Sequence, residues 1–296
     1  MADPAAVLSD LRAEGEELEQ LVAPLAAEGW SMPTPAPGWT VAHQIAHLAW
    51  TDERALLSAT DPGAFAEDAA QALTSPETFV DDGAQRLVDE LPPASLLDCW
   101  RTGRAALHRA LAGRPPGARL PWYGPPMSVA SMATARLMET WAHGQDVADA
   151  LGVRREPTAR LRHVVRIGVR ARDYAYMVHG LVPPAEEFRV ELTAPDGDVW
   201  AYGPEDAVQR VTGAALDFCL LATQRAHRSD LALHAEGPDA AHWLDIAQAF
   251  AGPPGKGREP AGGEGGMSSG SAGGAARAGS AAVTGEGATG TAGGVR

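Results

Sequence analysis

Lysine is almost missing from this chain. It occurs once, as Lys256, and every other basic residue is arginine, a bias that fits a GC-rich genome. Cysteine occurs twice, at Cys99 and Cys219, far apart and each in an apolar helical context. That excludes a disulfide framework or a cysteine-rich metal site and reads both thiols as buried packing. Positive charge is in deficit, with 24 basic against 38 acidic residues and a net charge of -14, so the chain lacks the electrostatic footprint of a nucleic-acid binder. No apolar run reaches the roughly 18 residues of a membrane span; even the stretch around Leu216 to Leu221 is broken by Asp217. The opening residues carry acidic charge early and have no signal-peptide core, so a cytoplasmic protein without membrane contact is expected. No HExxH, Walker A, GxSxG or CxxC pattern occurs.

What is present divides the chain into three. From Pro4 to Ala27, Leu8, Leu11, Leu18, Leu21, Val22 and Leu25 recur at helical spacing, with Asp3 as N-cap. A proline-rich loop, Ser31 to Gly38, is bracketed by Trp30 and Trp39, and Thr40 then caps a second helix to about Ser58. A less regular stretch to Leu91 precedes helices over Pro92–Ala112 and Ser128–Leu151, the last stopped by Gly152. The expectation is a mainly α protein: a four-helix bundle over residues 1–155. Residues 156–251 read as a small α+β domain. It has a helix through Leu161 to Tyr176, a hairpin turning at Pro195–Asp198, a helix from about Glu205 to Ala226, alternation at Leu231 to Ala235 and a closing helix from Trp243 to Phe250. Residues 252–296 hold 16 of the 33 glycines and almost no large apolar side chains, the composition of a disordered tail.

Residues placed at about 100° steps reveal a polar stripe on the fourth helix: Arg136, Glu139, His143 and Asp146 share one arc, while Ala133, Leu137, Trp141, Val147 and Leu151 cover the rest. A helix apolar over most of its surface is central, so this stripe faces a small opening or an internal cavity. The second helix carries a matching arc of His43, Gln44, His47, Thr51 and Arg54. If the arcs face each other, His47, Glu139 and His143 form a two-histidine, one-carboxylate set of the kind that holds a divalent metal with open positions, zinc by default, with iron or nickel also accepted. Two alternatives stand beside it: Glu139 and His143 at i, i+4 also suit a surface ion pair, and His43 competes with His47. His108, His163, His179, His227, His234 and His242 read as surface or hydrogen-bonded histidines.

The segments Pro37-Gly38-Trp39-Thr40-Val41, Ala46-His47-Leu48 and Glu139-Thr140-Trp141-Ala142-His143-Gly144-Gln145-Asp146 together resemble the DinB-like metal-binding bundle of the mycothiol-dependent maleylpyruvate isomerase family. The resemblance implies zinc ligation by His47, Glu139 and His143 and mycothiol as cosubstrate. A looser likeness at Val211-Thr212-Gly213, Asp217-Phe218 and Thr223-Gln224-Arg225 is similar to the family's sterol-carrier-like C-terminal domain. It implies an arginine that reaches the active site in a catalytic role, Arg225, with Arg228 competing. One departure is His43, where relatives often carry Asp; a neutral imidazole does less than a carboxylate for a positive helix N-terminus, so the helix start is expected to be less reinforced.

The implied reaction is thiol addition to a small electrophile, as an isomerase or an S-transferase. Arg225 or Arg136 would face a carboxylate or enolate, and Asp146 would orient an imidazole through its second N–H. Neither cysteine lies in the ligand stripe, so the sulfur arrives with the cosubstrate. A metal-dependent hydrolase and a non-catalytic binder of an apolar ligand in the α+β domain are the alternatives.

Overall fold

The computed structural model describes residues 3–75, 78–250, 252 and 254–261. Helix α1 (Pro4–Val22) begins where Asp3 accepts from the Ala5 amide at 3.0 Å and Pro4 takes the first helical position. A single turn, α2 (Ala27–Trp30), leads into the proline loop, which a bridge between Pro33 and Thr40 folds back on itself. Helices α3 (Val41–Thr60), α4 (Pro62–Ala72), α5 (Phe79–Glu90) and α6 (Pro93–Ala112) follow. A two-residue hairpin of β1 (Arg119–Leu120) and β2 (Met127–Ser128) then delivers the chain to α7 (Val129–Leu151). Ser128 caps α7 by accepting from the Ser131 amide at 3.1 Å. Gly152 closes it in a left-handed conformation at φ 66°, with the Val153 amide returning to the Ala148 carbonyl.

Helices α1, α3, α6 and α7 form the bundle, with α3 packed on α6 and α7 and with α1 along α7. The stretch before Leu91 is helical, not irregular. Its signal is weak because α5 buries only Gly83 and Ala84 fully, and α4 only Phe65 and Asp68, so the inward faces are mostly not large apolar residues. Gly83 is small for a reason: a Cβ there would overlap the Trp50 indole.

Beyond the bundle come α8 (Leu161–Arg170), α9 (Arg172–Val178), β3 (Arg189–Thr193), β4 (Val199–Tyr202), β5 (Arg210–Ala214), α10 (Ala215–Ala222), β6 (His234–Glu236) and α11 (Pro238–Ile246). The sheet order is β4-β3-β5-β6, with β3 and β5 parallel and the other neighbours antiparallel. The hairpin at Pro195–Asp198 forms as read, pairing Val190 with Tyr202. The helix read from Glu205 to Ala226 is instead strand β5 followed by the shorter α10. Val211 and Thr212 favour a pleated backbone, and Gly213 at φ 150° packs against the Ala232 carbonyl, an approach a side chain would block. The helix through Leu161 to Tyr176 is broken in two at Ala171, and the last helix starts at Pro238 and ends at Ile246. Cys219 is buried as read, but Cys99 is exposed on α6. No helix among the described residues is long and apolar enough to cross a membrane.

Helix α7 belongs to both halves. Leu137, Met138, Trp141 and Ala142 share one hydrophobic core with Val164, Phe218, Trp243 and the inner face of the sheet. The connection after α7 is held by charge. Glu14, fully buried on α1, accepts from Arg155 and Arg160, and Glu17 accepts from the same two arginines. Arg155→Ala removes one of the two guanidinium groups on buried Glu14 and leaves Arg160 on the other oxygen, so it is expected to destabilise the protein by about 2 kcal/mol, the scale of losing a hydrogen bond to a charged group. The measurement is the urea midpoint at constant slope.

Candidate metal centre

The arcs on α3 and α7 face each other. His47, Glu139 and His143 are all buried, and their ligating atoms lie within 4.8 Å of one another. Glu139 Oε2 is 3.2 Å from Nε2 of both His47 and His143. The imidazole rings are 4.3 Å apart, and Trp39, delivered by the proline loop, covers them at 5.5 and 5.9 Å. Two imidazoles and one carboxylate form a donor set that suits a divalent metal with room for a further ligand.

A chain of hydrogen bonds fixes the proton on His143. The Thr34 hydroxyl donates to the Trp39 carbonyl at 2.9 Å, so its oxygen accepts from the Gln44 amide at 2.8 Å. That orients Gln44 Oε1 toward His143 Nδ1, 2.5 Å away, and the proton therefore sits on Nδ1. The lone pair on Nε2 consequently points at a carboxylate oxygen. Burial, followed by the charges of His47 and Arg225, pushes the His143 imidazole down to about 4, so it is neutral at physiological pH. Burial acts to raise the Glu139 carboxyl, but hydrogen bonding and charge from His143 and His47, which act only while a ring holds a proton on Nε2, outweigh it and place the group well below the usual carboxylate range. His47 Nδ1 is buried without a partner among the described residues. The centre concentrates lone pairs and one negative charge, a donor chemistry that fits a divalent cation.

The remaining members of the two arcs are already engaged. Arg136 does not reach the centre's opening: its Nε donates to Asp52 at 2.9 Å and its Nη2 to Thr51 at 2.5 Å, an ion pair buried between α3 and α7. Asp146 does not orient the imidazole, because its Oδ2 is 4.0 Å from His143 Nδ1 and Gln44 takes that role. Asp146 instead accepts from Arg225 at 2.8 Å and from Arg258 at 2.5 Å. His43 is no ligand. Its Nδ1 accepts from the Thr40 amide at 3.2 Å and its Nε2 lies 3.0 Å from Gln85 Oε1, so it serves in a capping box and reinforces the helix start that it was expected to weaken.

A cleft of about 100 Å³ opens beside Glu139 and His143, bounded by Pro35–Pro37, Gln224, Arg225 and residues 255–258. Arg225 is at this cleft, whereas Arg228 is turned to the Ala241 carbonyl and Asp245. Sequence reasoning gave no role to Gln44 or Thr34, although Gln44 lies on the arc that carries His47. It also missed Arg258, which nothing in a glycine-rich segment singled out. Of the segment expected to be disordered from 252 onward, residue 252 and residues 254–261 are placed here; residues 262–296 lie outside the described residues.

The sequence profile described as "Mycothiol maleylpyruvate isomerase N-terminal domain" matches residues 11–148, and one described as "Wyosine base formation" matches residues 184–236. Two relatives, both named as uncharacterized proteins of Mycobacterium tuberculosis, are each 59% identical over 258 residues, covering 87% of this chain and all of theirs. Two solved structures share the fold: a mycothiol-dependent maleylpyruvate isomerase (TM-score 0.53) and a histidine-to-alanine mutant of it (TM-score 0.52). Each is 16% identical, and the match covers 80% of this chain and 96% of theirs.

Two outcomes follow from the geometry. In chelator-treated protein, an unfolded His143 takes up a proton below about pH 6.5 that the folded one refuses until about 4. Stability is therefore lost as pH falls through that window, by on the order of 3 kcal/mol at its end. Urea midpoints against pH should show this loss reduced in His143→Gln. His43→Ala should destabilise by about 1 kcal/mol through the broken cap, read as a lower melting temperature at neutral pH.

Proposed function

The chain belongs to the mycothiol maleylpyruvate isomerase family, and from that premise we propose that it is a thiol-dependent enzyme assisted by a divalent metal, zinc by its donor set, held by His47, Glu139 and His143. One observation carries the reading: the Trp39–Thr34–Gln44 chain holds the His143 lone pair against an ionised carboxylate, an arrangement that favours a cation between them. When bound, such a metal supplies the positive charge that ionises a coordinating thiol near neutral pH.

The rest is supplied by the chain's own residues. Gln44 keeps the imidazole ring oriented, and Trp39 covers both rings from solvent. The sulfur is external, and mycothiol is the thiol the family name supplies. Burial pushes the Cys219 thiol well up, and Cys99, also raised by burial and by Glu53, sits on α6 outside the centre. In the proposed reaction the thiolate sulfur adds to one carbon of an activated double bond, and the displaced electron pair moves onto the adjacent carbonyl as an enolate. Arg225, held at the cleft by Asp146 and the Thr223 carbonyl, faces that charge. Rotation about the resulting single bond, return of the pair and loss of the sulfur complete an isomerisation. Uptake of a proton at the other carbon of the former double bond, the one beside the carbonyl, leaves the sulfur attached and completes an S-transfer.

Elemental analysis of untagged protein is the first test. Stoichiometric zinc in the wild type and none in His143→Ala is expected; metal absent from both after reconstitution would sink the reading. Gln44→Leu should fold and weaken zinc binding by roughly 10- to 100-fold. Arg225→Gln should keep its zinc and lower kcat/KM about a hundredfold. Turnover that persists with no thiol present would favour metal-dependent hydrolysis instead.

A further inference from the structure

The segment after α11 has the composition of a linker, yet it walls the cleft. Residues 255–258 line the cleft together with Glu139 and His143, and Lys256 and Gly257 are exposed, so solvent lies behind this wall. On its inner side His47, Glu139 and His143 are 0, 8 and 3% exposed. The space between is about 100 Å³, whereas sites that hold small molecules run to about 300 Å³ or more. A thiol and an electrophile cannot both enter while the wall stands where it does.

The wall is fastened unevenly. At its start the Gly252 amide donates to the Tyr174 hydroxyl at 2.8 Å, and the Gly252 carbonyl accepts from Gln248 at 3.1 Å. At its end a single hydrogen bond among the described residues, from the Ala261 amide to Asp230 at 2.9 Å, ties it down. Residues 254–261 carry no large apolar side chain, and segments held by polar contacts alone are the ones that open first. The middle is held by Arg258, whose Nη2 donates to Asp146 Oδ1 at 2.5 Å and lies 3.8 Å from Asp149, both on α7. Arg225 takes the other oxygen of Asp146, so Arg258 can leave without stripping Arg225 of its partner. Gly252 and Gly257, at φ 130° and 66°, supply turning points. The closed position is nonetheless a fitted one, because Gly255 packs so tightly on Gln224 that a Cβ there would overlap it.

We propose that residues 254–261 are a gate with Arg258 as its latch. Release of Arg258 from Asp146 and Asp149 lets the segment swing outward about its better-fastened start at Gly252, and only then is there room for a ligand beside the His-Glu-His cluster. The gate rests on the proposed function for what enters and not for the motion itself.

The scarcity of lysine makes the motion measurable. Lys256 is the one lysine of the chain and lies in the gate, so a lysine-specific endoproteinase cuts the full-length protein at a single bond. A protease needs a length of unfastened chain, so the rate reports the open population. Each rate is divided by that of a free peptide of the same sequence, which cancels the preference of the protease. In parallel, Met138→Cys in a Cys99→Ser background puts a thiol in the cleft lining, where Met138 is 3% exposed. Its reaction with an aromatic disulfide reads access to the cleft, and buried Cys219 reads global unfolding. The wild type is expected to resist cleavage. Arg258→Gln should be cut about tenfold faster and its cleft thiol labelled faster in proportion, the scale of losing a charge-assisted contact. Asp149→Asn, at an exposed position, decides the matter with the same readouts should Arg258→Gln not fold, and should be cut about threefold faster. Arg101→Gln, which breaks an ion pair between α6 and α1, should behave as wild type. Wild-type cleavage at the rate of the peptide, latch variants no faster than Arg101→Gln, faster cleavage with unchanged labelling, or a cleft thiol no more reactive than Cys219 would each overturn the gate. Neither readout needs metal or turnover. A gate that fails in protein with full zinc sinks this proposal alone, and a gate that works in protein unable to hold zinc sinks the metal reading alone.

Discussion

Everything in this molecule turns on a polar stripe that α7 carries into an otherwise apolar interior. Arg136, Glu139, His143 and Asp146 are all buried, and a buried polar group without a partner destabilises the fold by the full loss of its hydration. Each is met by a different part of the chain. Arg136 takes Asp52 and Thr51 from α3, Glu139 takes His47, His143 takes Gln44, and Asp146 takes arginines from beyond the sheet. The helix pairing, the fold of the proline loop and the docking of the second half are therefore solutions to one satisfaction problem.

The solution is graded along the helix. At the Arg136 end the pairing is closed, an ion pair sealed between two helices. At the Asp146 end two arginines, Arg225 and Arg258, share the carboxylate, and Arg258 also faces Asp149 at 3.8 Å. Between them, at Glu139 and His143, an oriented lone pair and a carboxylate face each other, a pairing of donors that suits a cation. That sequence, from the sealed Arg136 pair through the facing donors to the Asp146 arginines, ends at the cleft.

Much of this was legible in the sequence, and the exceptions have physical causes. The facing arcs emerged because a strong helical period on α3 and α7 assigns every residue an angle. Asp3, Thr40 and Gly152 marked helix ends because capping chemistry is local. Helices α4 and α5 were obscured because their fully buried positions, Gly83 and Ala84 among them, carry little apolar signal. Strand β5 was read as helix because its pairing partner β3 lies outside any local window. His43 was judged by its charge at a helix start, whereas its ring nitrogen accepts the capping hydrogen bond. The Trp39–Thr34–Gln44 chain depends on the path of a proline loop, and Arg258 stands alone in a segment whose average composition conceals a single ion pair. Local periodicity places side chains on faces; only tertiary contact selects their partners.

The shared grip on Asp146 also sets an order of events. The last of the three clustered side chains, His143, leaves the ribosome with about half the chain, and the elements it needs, α3 and the proline loop, have already emerged. Arg225 and Arg258 come much later, and the mouth of the cleft is bounded only when residue 258 has emerged. Domains built N-terminus first fold as they appear, so the donor set can close well before anything can bind beside it. The nascent chain can thus assemble its buried His-Glu-His cluster before the cleft beside that cluster is walled.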